Sequence, residues 1–388
     1  MTPTYFRSFS KVLAYSWLLV LASSYTTNVF SQNPFQGKYA GRVLNSYENV
    51  SWNKQSKQIS FDQRLFRNPM RAIEDIRMAA RDTVFDQFEL LFQGFPVGVV
   101  GLQEDHTTYH ASQRTKLSVN PKIIGSHLAK YKFDFWLQPV FAARFGYREK
   151  PVESNTSLIL NTQLVLWPGM SLTGGVLFPL TNDMDNRPKI VRPAPIFVNQ
   201  FWGNGSDWLS FTAGTFHNDR YGANLQYRKM NLTKPWSFGL EAGLTGVYYY
   251  PVGGIYYERP SEVLLLADIA HRFQRTDVTL KLTAGQFLHK DKGVRFDFIR
   301  QFTNVEVGLY AMKTTNGSTA GFNFAIPIPP GKIAQSKSFR VRTTDEFRWE
   351  YSYSRGYKIG ERYRMGYQLD QKLRQFHLHY FSNQNKAQ

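Results

Sequence analysis

The sequence contains no cysteine, which excludes disulfides and thiolate-ligated metal from the possibilities. It is equally short of long hydrophobic runs: 42% of residues are hydrophobic, yet mean hydropathy is −0.39. The apolar residues are therefore interspersed with polar ones, unlike the pattern of a helical membrane protein. Acidic residues are outnumbered, 29 against 47 basic ones, giving a formal net charge of +18. That excess could point to nucleic acid, but no recognition motif accompanies it, and the chain begins like an exported one. No G-x-S-x-G nucleophile elbow is present either.

Arg7 and Lys11 precede an apolar core, Val12 to Ala22, and Val29-Phe30-Ser31 supplies residues suited to signal-peptidase cleavage before Gln32. Residues 1–31 are thus expected to be a removable export signal, whose loss lowers the net charge to +16. A polar linker is expected over 32–54, then a small β-α-β-β unit over 55–104. In that unit Ile59 and Phe61 alternate with polar neighbours, and Asn68-Pro69 supplies an N-cap and a first-turn proline. Met70, Ile73, Ile76 and Ala80 share a helical face, and two strands join through Gln93-Gly94. A unit this small is expected to dock on the larger region after it. A second linker is read over 105–129.

From residue 130 to 381 the texture is alternating, aromatic and glycine-rich, with about 12–16 candidate strands and no helical segment, before a tail at 382–388. The last two candidates are Tyr357 to Leu369 and Leu373 to Phe381. Within this region a hairpin-sized block occurs twice. LSFTAGTFHNDRYGANLQYRKM (209–230) and LKLTAGQFLHKDKGVRFDFIRQF (280–302) share Thr-Ala-Gly-x-Phe, followed by a second glycine eight residues after the first. Gly214 and Gly222 should therefore occupy the same places as Gly285 and Gly293. Strands this numerous must pack as two sheets or close on themselves. Trp136, Trp167, Trp202, Trp208 and Trp236, with Tyr248 to Tyr250, fall near strand ends as an aromatic girdle would. The expected fold is all-β: an antiparallel up-and-down transmembrane β-barrel with a small α+β amino-terminal unit on its periplasmic side.

The repeats, together with Val191-Arg192-Pro193, resemble the outer-membrane YjbH-type exopolysaccharide biosynthesis proteins. The matching residues are Asp291 and Gly293 in a D-x-G turn, Arg300 and Phe302 in R-x-F, Gly308, and the closing Gly321, Ile326 and Pro327. Residues 59–80 also resemble that family's amino-terminal segment. The resemblance implies an outer-membrane barrel that serves exopolysaccharide export or surface assembly, without an enzymatic role or cofactor. Family members are often nearly twice this length, and Phe381 is not the terminal residue, as the final aromatic is in many such barrels.

Basic and aromatic residues inside a channel suit an anionic polysaccharide. Arg228, Lys281, Arg295 and Arg300 are the contact candidates, although Arg295 and Arg300, five apart in one strand, cannot both face inward. Outer-membrane lipid and periplasmic export components are the other expected partners, and nucleic acid is not. Two alternatives stay open: a plugged structural or docking subunit of an envelope machine, and a barrel enzyme acting on lipid or glycan. Glu104-Asp105-His106 with His110 reads as a solvated loop and not a metal site. His377 and His379 are read as structural residues on one face of a last strand. Asp345, Glu346 and Glu350 are read as partners of Arg342 and Arg348.

Overall fold

The computed structural model describes residues 35, 37–53, 55–80, 85–102, 107–110, 125–127, 131–145, 152–184, 188–251, 253–328, 333–336, 338–352, 358–362 and 368–385. The expected export signal lies outside them. Among them no helix is long and apolar enough to cross a membrane.

The amino-terminal unit is larger than expected. The span read as a polar linker over 32–54 holds a helix, Gly37–Leu44, and a strand, Glu48–Asn53. The second expected linker holds the strands Thr107–His110 and Gly125–His127. These additions sit at the two sides of a six-stranded sheet in the order 107–110, 95–102, 87–92, 58–62, 48–53, 125–127. Their physical reason is burial. Ala40, Leu44, Tyr47, Val50 and Trp52 complete a core that the β-α-β-β unit alone leaves open. Within the expected part the reading holds: Asn68 caps the helix Pro69–Ala79 by accepting from the Met70 N–H, and Met70, Ile73, Ile76 and Ala80 are buried. Gln93 and Gly94 both take positive φ, as a tight hairpin turn demands.

Among the described residues thirteen long strands, with three two-residue strands beside them, form the second sheet: Phe133–Phe145, Val152–Trp167, Met170–Asn182, Phe197–Asn204, Asp207–Phe216, Arg220–Met230, Trp236–Tyr249, Glu262–Phe273, Val278–Gln286, Lys292–Gln301, Glu306–Thr314, Gly317–Pro327, and a last one interrupted between Phe339–Thr343 and Glu346–Ser352. Each pairs antiparallel with the next, and the strand order closes on itself. The closing pair departs from the expected all-antiparallel pattern. Phe339 to Thr343 run parallel to Phe133 to Leu137. The cause is parity: in a chain that reverses at each turn, strand thirteen points the same way as strand one.

Alternation sets the two faces. Phe238, Ile269, Leu282 and Phe296 stand opposite one another on successive strands and are 37–49% exposed on the outside. One residue along, Asp268, Thr283 and Arg295 form a row on the inside. Short turns gather at one rim, where Trp167, Trp202 and Trp236 are exposed. Tyr249, Tyr256 and Tyr257 are exposed at the opposite rim. Two members of the expected girdle belong elsewhere. Trp208 is fully buried, stacked on Phe201 beneath Phe92 and Phe95 of the amino-terminal unit. Trp136 lies on the inner face with Arg342 against its ring. The amino-terminal unit thus sits on the short-turn rim, and the Gly169 N–H donates to the Gln93 carbonyl across the contact.

The repeated glycines face each other in both hairpins, Gly214 with Gly222 and Gly285 with Gly293. Gly214, Gly222 and Gly285 have φ near +145°, and a Cβ at any of the four would run into a carbonyl of the neighbouring strand. Gly285→Ala is therefore expected to cost about 2 kcal/mol or more, combining strain with a backbone clash. Gly254→Ala, at a loop glycine with open space around it and no positive φ, should cost about 1 kcal/mol or less. Urea titration of the two variants in detergent micelles checks the contrast; equal midpoints would refute it.

The carboxyl-terminal region corrects the sequence reading most. In place of the expected last strand, Leu373 to Phe381, the helices Leu369–Arg374 and Leu378–Asn385 occur, and of the expected strand Tyr357 to Leu369 residues 357 and 363–367 lie outside the described residues. Residues 358–362 lie inside the long-loop rim: the Gly360 N–H donates to Asp291, and the Leu288 N–H to the Glu361 carbonyl. Further on, the Leu369 N–H donates to Gln226, the Leu378 N–H to the Leu232 carbonyl, and Tyr380 Oη to the Thr303 carbonyl at the short-turn rim. The described parts of the tail, 358–362 and 368–385, therefore lie in the lumen, the first at one rim and the last at the other. The second ends against the amino-terminal unit, where Asn68 meets Gln384.

Candidate functional site

The lumen is a charged interior whose charges are matched in pairs. Arg228 reaches across the strand Trp236–Tyr249 and binds both oxygens of Asp268, at 2.6 and 2.7 Å. It can do so because Gly239 lies between them, where a Cβ would meet both side chains. Lys281 lies 2.7 Å from Asp370, a carboxylate supplied by the tail, and 4.0 Å from Asp268. Arg295 donates to Asp297 and Glu350 and lies 3.8 Å over the Tyr310 ring. Of the four contact candidates, these three face inward, each already engaged by carboxylate.

Arg300 does not join them. It is exposed on the outer face, its guanidinium 4.8 Å from the Phe302 ring near the short-turn rim. Phe302 is exposed on the same side. The five-residue spacing fixes this outcome, since Arg295 turned inward sends Arg300 outward. Arg295→Gln should accordingly destabilise the barrel by about 2–3 kcal/mol, by leaving buried carboxylates short of a partner. Arg300→Gln should cost under about 1 kcal/mol, the scale of an exposed cation–π contact. Paired urea titrations read the difference.

The remaining matched residues are structural. Asp291 is buried and accepts from the Asn316 and Gly360 N–H groups, tying a hairpin turn to the tail. A Cβ on Gly308 would press into the Asn323 amide, and one on Gly321 would meet the Tyr351 carbonyl. Pro327 ends its strand opposite Glu346. In the acidic group near the last strand only Glu346 has the expected partner, Arg348, and it also meets Arg67; Asp345 pairs instead with Lys372 and Glu350 with Arg295. Arg342 pairs with Asp134.

Residues 104–106 lie outside the described residues. His110 ends an edge strand of the small sheet, so that part is not a loop. His377 and His379 lie in the tail and not on a strand. His377 is fully buried, its Nε2 3.2 Å from the Lys234 carbonyl, and its Nδ1 accepts from the His379 N–H. Among the described residues no cluster of metal-ligating side chains occurs.

Sequence reasoning missed Glu306, Arg67 and Arg374, and did not join Arg348 to Glu306. Glu306 is buried, with Arg348 at 2.8 Å, Arg374 at 3.1 Å and Arg67 at 3.5 Å, so one carboxylate joins barrel, tail and amino-terminal unit. The partners lie far apart in the chain, and no spacing could reveal them.

Beside the tail a cavity of about 750 Å³ remains, reaching from Gln63 and Phe66 of the amino-terminal unit to His217 and Ile359 near the other rim. Its wall carries Trp136, Gln138, Asn161, Asn323 and the paired charges described above.

No curated protein and no solved structure matches the chain. The match that does occur covers the strands from Arg220 to Thr343, with Arg228, Lys281, Arg295 and Glu306 among them. Residues 220–344 match the YjbH family, described as exopolysaccharide biosynthesis protein YbjH, the family that the glycine repeats resemble.

Proposed function

We propose that this protein is a non-enzymatic outer-membrane β-barrel that takes part in the export or surface assembly of an exopolysaccharide. The observation that carries the reading is the inverted arrangement of the ring, apolar outside and charged inside. Leu240, Leu265 and Leu309 are 57–59% exposed on the outer face, while Arg228, Lys281 and Arg295 are buried within. In water an apolar face of this extent would drive association, whereas in a bilayer it is the required surface. Along the strand Glu262–Phe273 the span from Val263 to Phe273 covers about 25 Å of membrane normal at a tilt of about 40°, the height of an outer-membrane belt. The family match favours exopolysaccharide biosynthesis as the process. Arg300, stacked on Phe302 at the rim, is suited to anionic lipid headgroups.

Deleting the gene in the producing bacterium should reduce surface exopolysaccharide, and the tagged protein should fractionate with outer membranes and run faster unboiled than boiled in SDS gels. Normal exopolysaccharide in the deletion strain would refute the role; a cytoplasmic fraction would refute the location. A second reading, a structural subunit that docks export components, is favoured by the tail within the lumen. Planar-bilayer recording separates the two: stepwise conductance speaks for passage, and a silent barrel that still supports secretion speaks for docking.

A further inference from the structure

The wall of the lumenal cavity divides its polar groups into two kinds. The charged side chains are spent on one another: Arg295 on Asp297 and Glu350, Arg342 on Asp134, Arg348 on Glu306 and Glu346, and Lys372 on Asp345. Three of the uncharged ones are not. The Trp136 indole N–H, the Asn323 amide and the Gln371 amide line the cavity with no hydrogen-bond partner among the described residues. Gln138 keeps its amide N–H groups while its oxygen accepts from Asn161.

An incoming carboxylate would have to displace Asp or Glu from an arginine already held at hydrogen-bond distance, an exchange with little net gain. A hydroxyl-rich ring has no such competition. It can donate to the amide oxygens of Asn323 and Gln371, and accept from their N–H groups and from the Trp136 indole N–H. The cavity volume falls within the range of about 300–1,000 Å³ usual for ligand sites, enough for a short glycan segment.

We propose that this cavity binds a neutral, hydroxyl-bearing glycan segment and does not select carboxylate-bearing sugars. The assignment rests on the exopolysaccharide reading above and reverses the preference that the net charge of the chain alone implies. Charge excess and site chemistry are separate matters here, because the lumenal cations are neutralised locally.

The test uses the full chain in detergent micelles and two sets of probes: neutral hexaoses (cello-, malto- and mannohexaose) and acidic ones (oligogalacturonate and hyaluronan hexamers). Calorimetry is run at about 0.05 M and about 0.5 M salt, since only charge-driven binding is screened over that range. Binding of at least one neutral hexaose, unchanged by salt and weakened about tenfold in Trp136→Phe and in Gln371→Ala, is the expected result. Heat-modifiable gel migration confirms that both variants remain folded, and Asn323→Ala serves as a third variant if either fails to fold. Binding of acidic hexamers alone, falling with salt, overturns the proposal, as does no binding by either set. If the proposal fails in this way while the deletion strain still loses its exopolysaccharide, the functional reading stands and only the substrate assignment falls.

Discussion

Glu306→Gln is expected to destabilise the folded protein by about 3 kcal/mol, one of the largest effects of any conservative change in the chain. The substitution keeps shape and removes charge, leaving Arg348, Arg374 and Arg67 without a carboxylate that lies 2.8, 3.1 and 3.5 Å from them. The loss is not total, because each arginine has a second partner: Glu346 for Arg67 and Arg348, Asp370 for Arg374. For that reason the expected loss sits at the lower end of the range of about 3–5 kcal/mol for a broken buried ion pair. Since the three arginines come from the amino-terminal unit, the barrel and the tail, the variant should also loosen the joint between them. Urea unfolding followed by tryptophan fluorescence, with limited proteolysis of the tail, reads both effects. A midpoint equal to that of the parent protein would show that the three elements are held by other contacts.

The second large effect is one of pH. Burial, with Arg272 and His379 adding to it, pushes the His377 imidazole down to about 3 from its ordinary value of 6.5. The neutral ring is the one that the structure accommodates, since Nδ1 accepts the His379 N–H while Nε2 faces the Lys234 carbonyl. The sign comes from linkage: the folded state binds the proton less well than the unfolded state, so stability is intact above pH 6.5 and lost as pH falls toward 3. The slope is about 1.4 kcal/mol per pH unit within that window. By pH 4.5 the tail should have lost close to 3 kcal/mol of its anchoring at the short-turn rim. His377→Gln, which keeps a donor for Lys234, should flatten the dependence between pH 6.5 and 4.5 relative to the parent protein. Parallel curves for the two would remove His377 as the cause.

Much of the barrel was legible because a strand with an apolar outer face and a polar lumenal one writes its two faces in alternate residues. Leu282, Phe296 and Phe298 outside, with Thr283, Arg295 and Asp297 inside, carry strand, register and orientation together. The repeated glycines were equally plain, since their places tolerate no side chain. The tail was not legible in this way. Leu373, Gln375, His377 and His379 alternate as a strand does, but a segment packed on all sides inside a lumen buries polar and apolar groups alike, so its periodicity says little about its shape. The small unit's outer strands were missed for a related reason, being short and polar at the edges of a sheet. Of the site, Arg228, Lys281 and Arg295 were found, while the carboxylates that neutralise them, above all Asp370 and Glu350, come from elements whose proximity only the closed structure creates.

The odd number of strands also governs how the chain can be assembled. An even barrel returns its chain to the rim from which it set out; thirteen strands deliver residue 352 to the opposite rim, away from the unit that the carboxyl end must meet. The lumen is the direct way back, so the parallel seam between Phe133–Phe145 and the last strand must either zip up around a tail already in place or admit it afterwards through the far mouth. Loss or gain of a whole hairpin would leave that topology unchanged, whereas loss or gain of a single strand would bring the tail out beside the amino-terminal unit and empty the barrel. Strand parity, more than any one contact, is what commits this chain to carrying its own end inside itself.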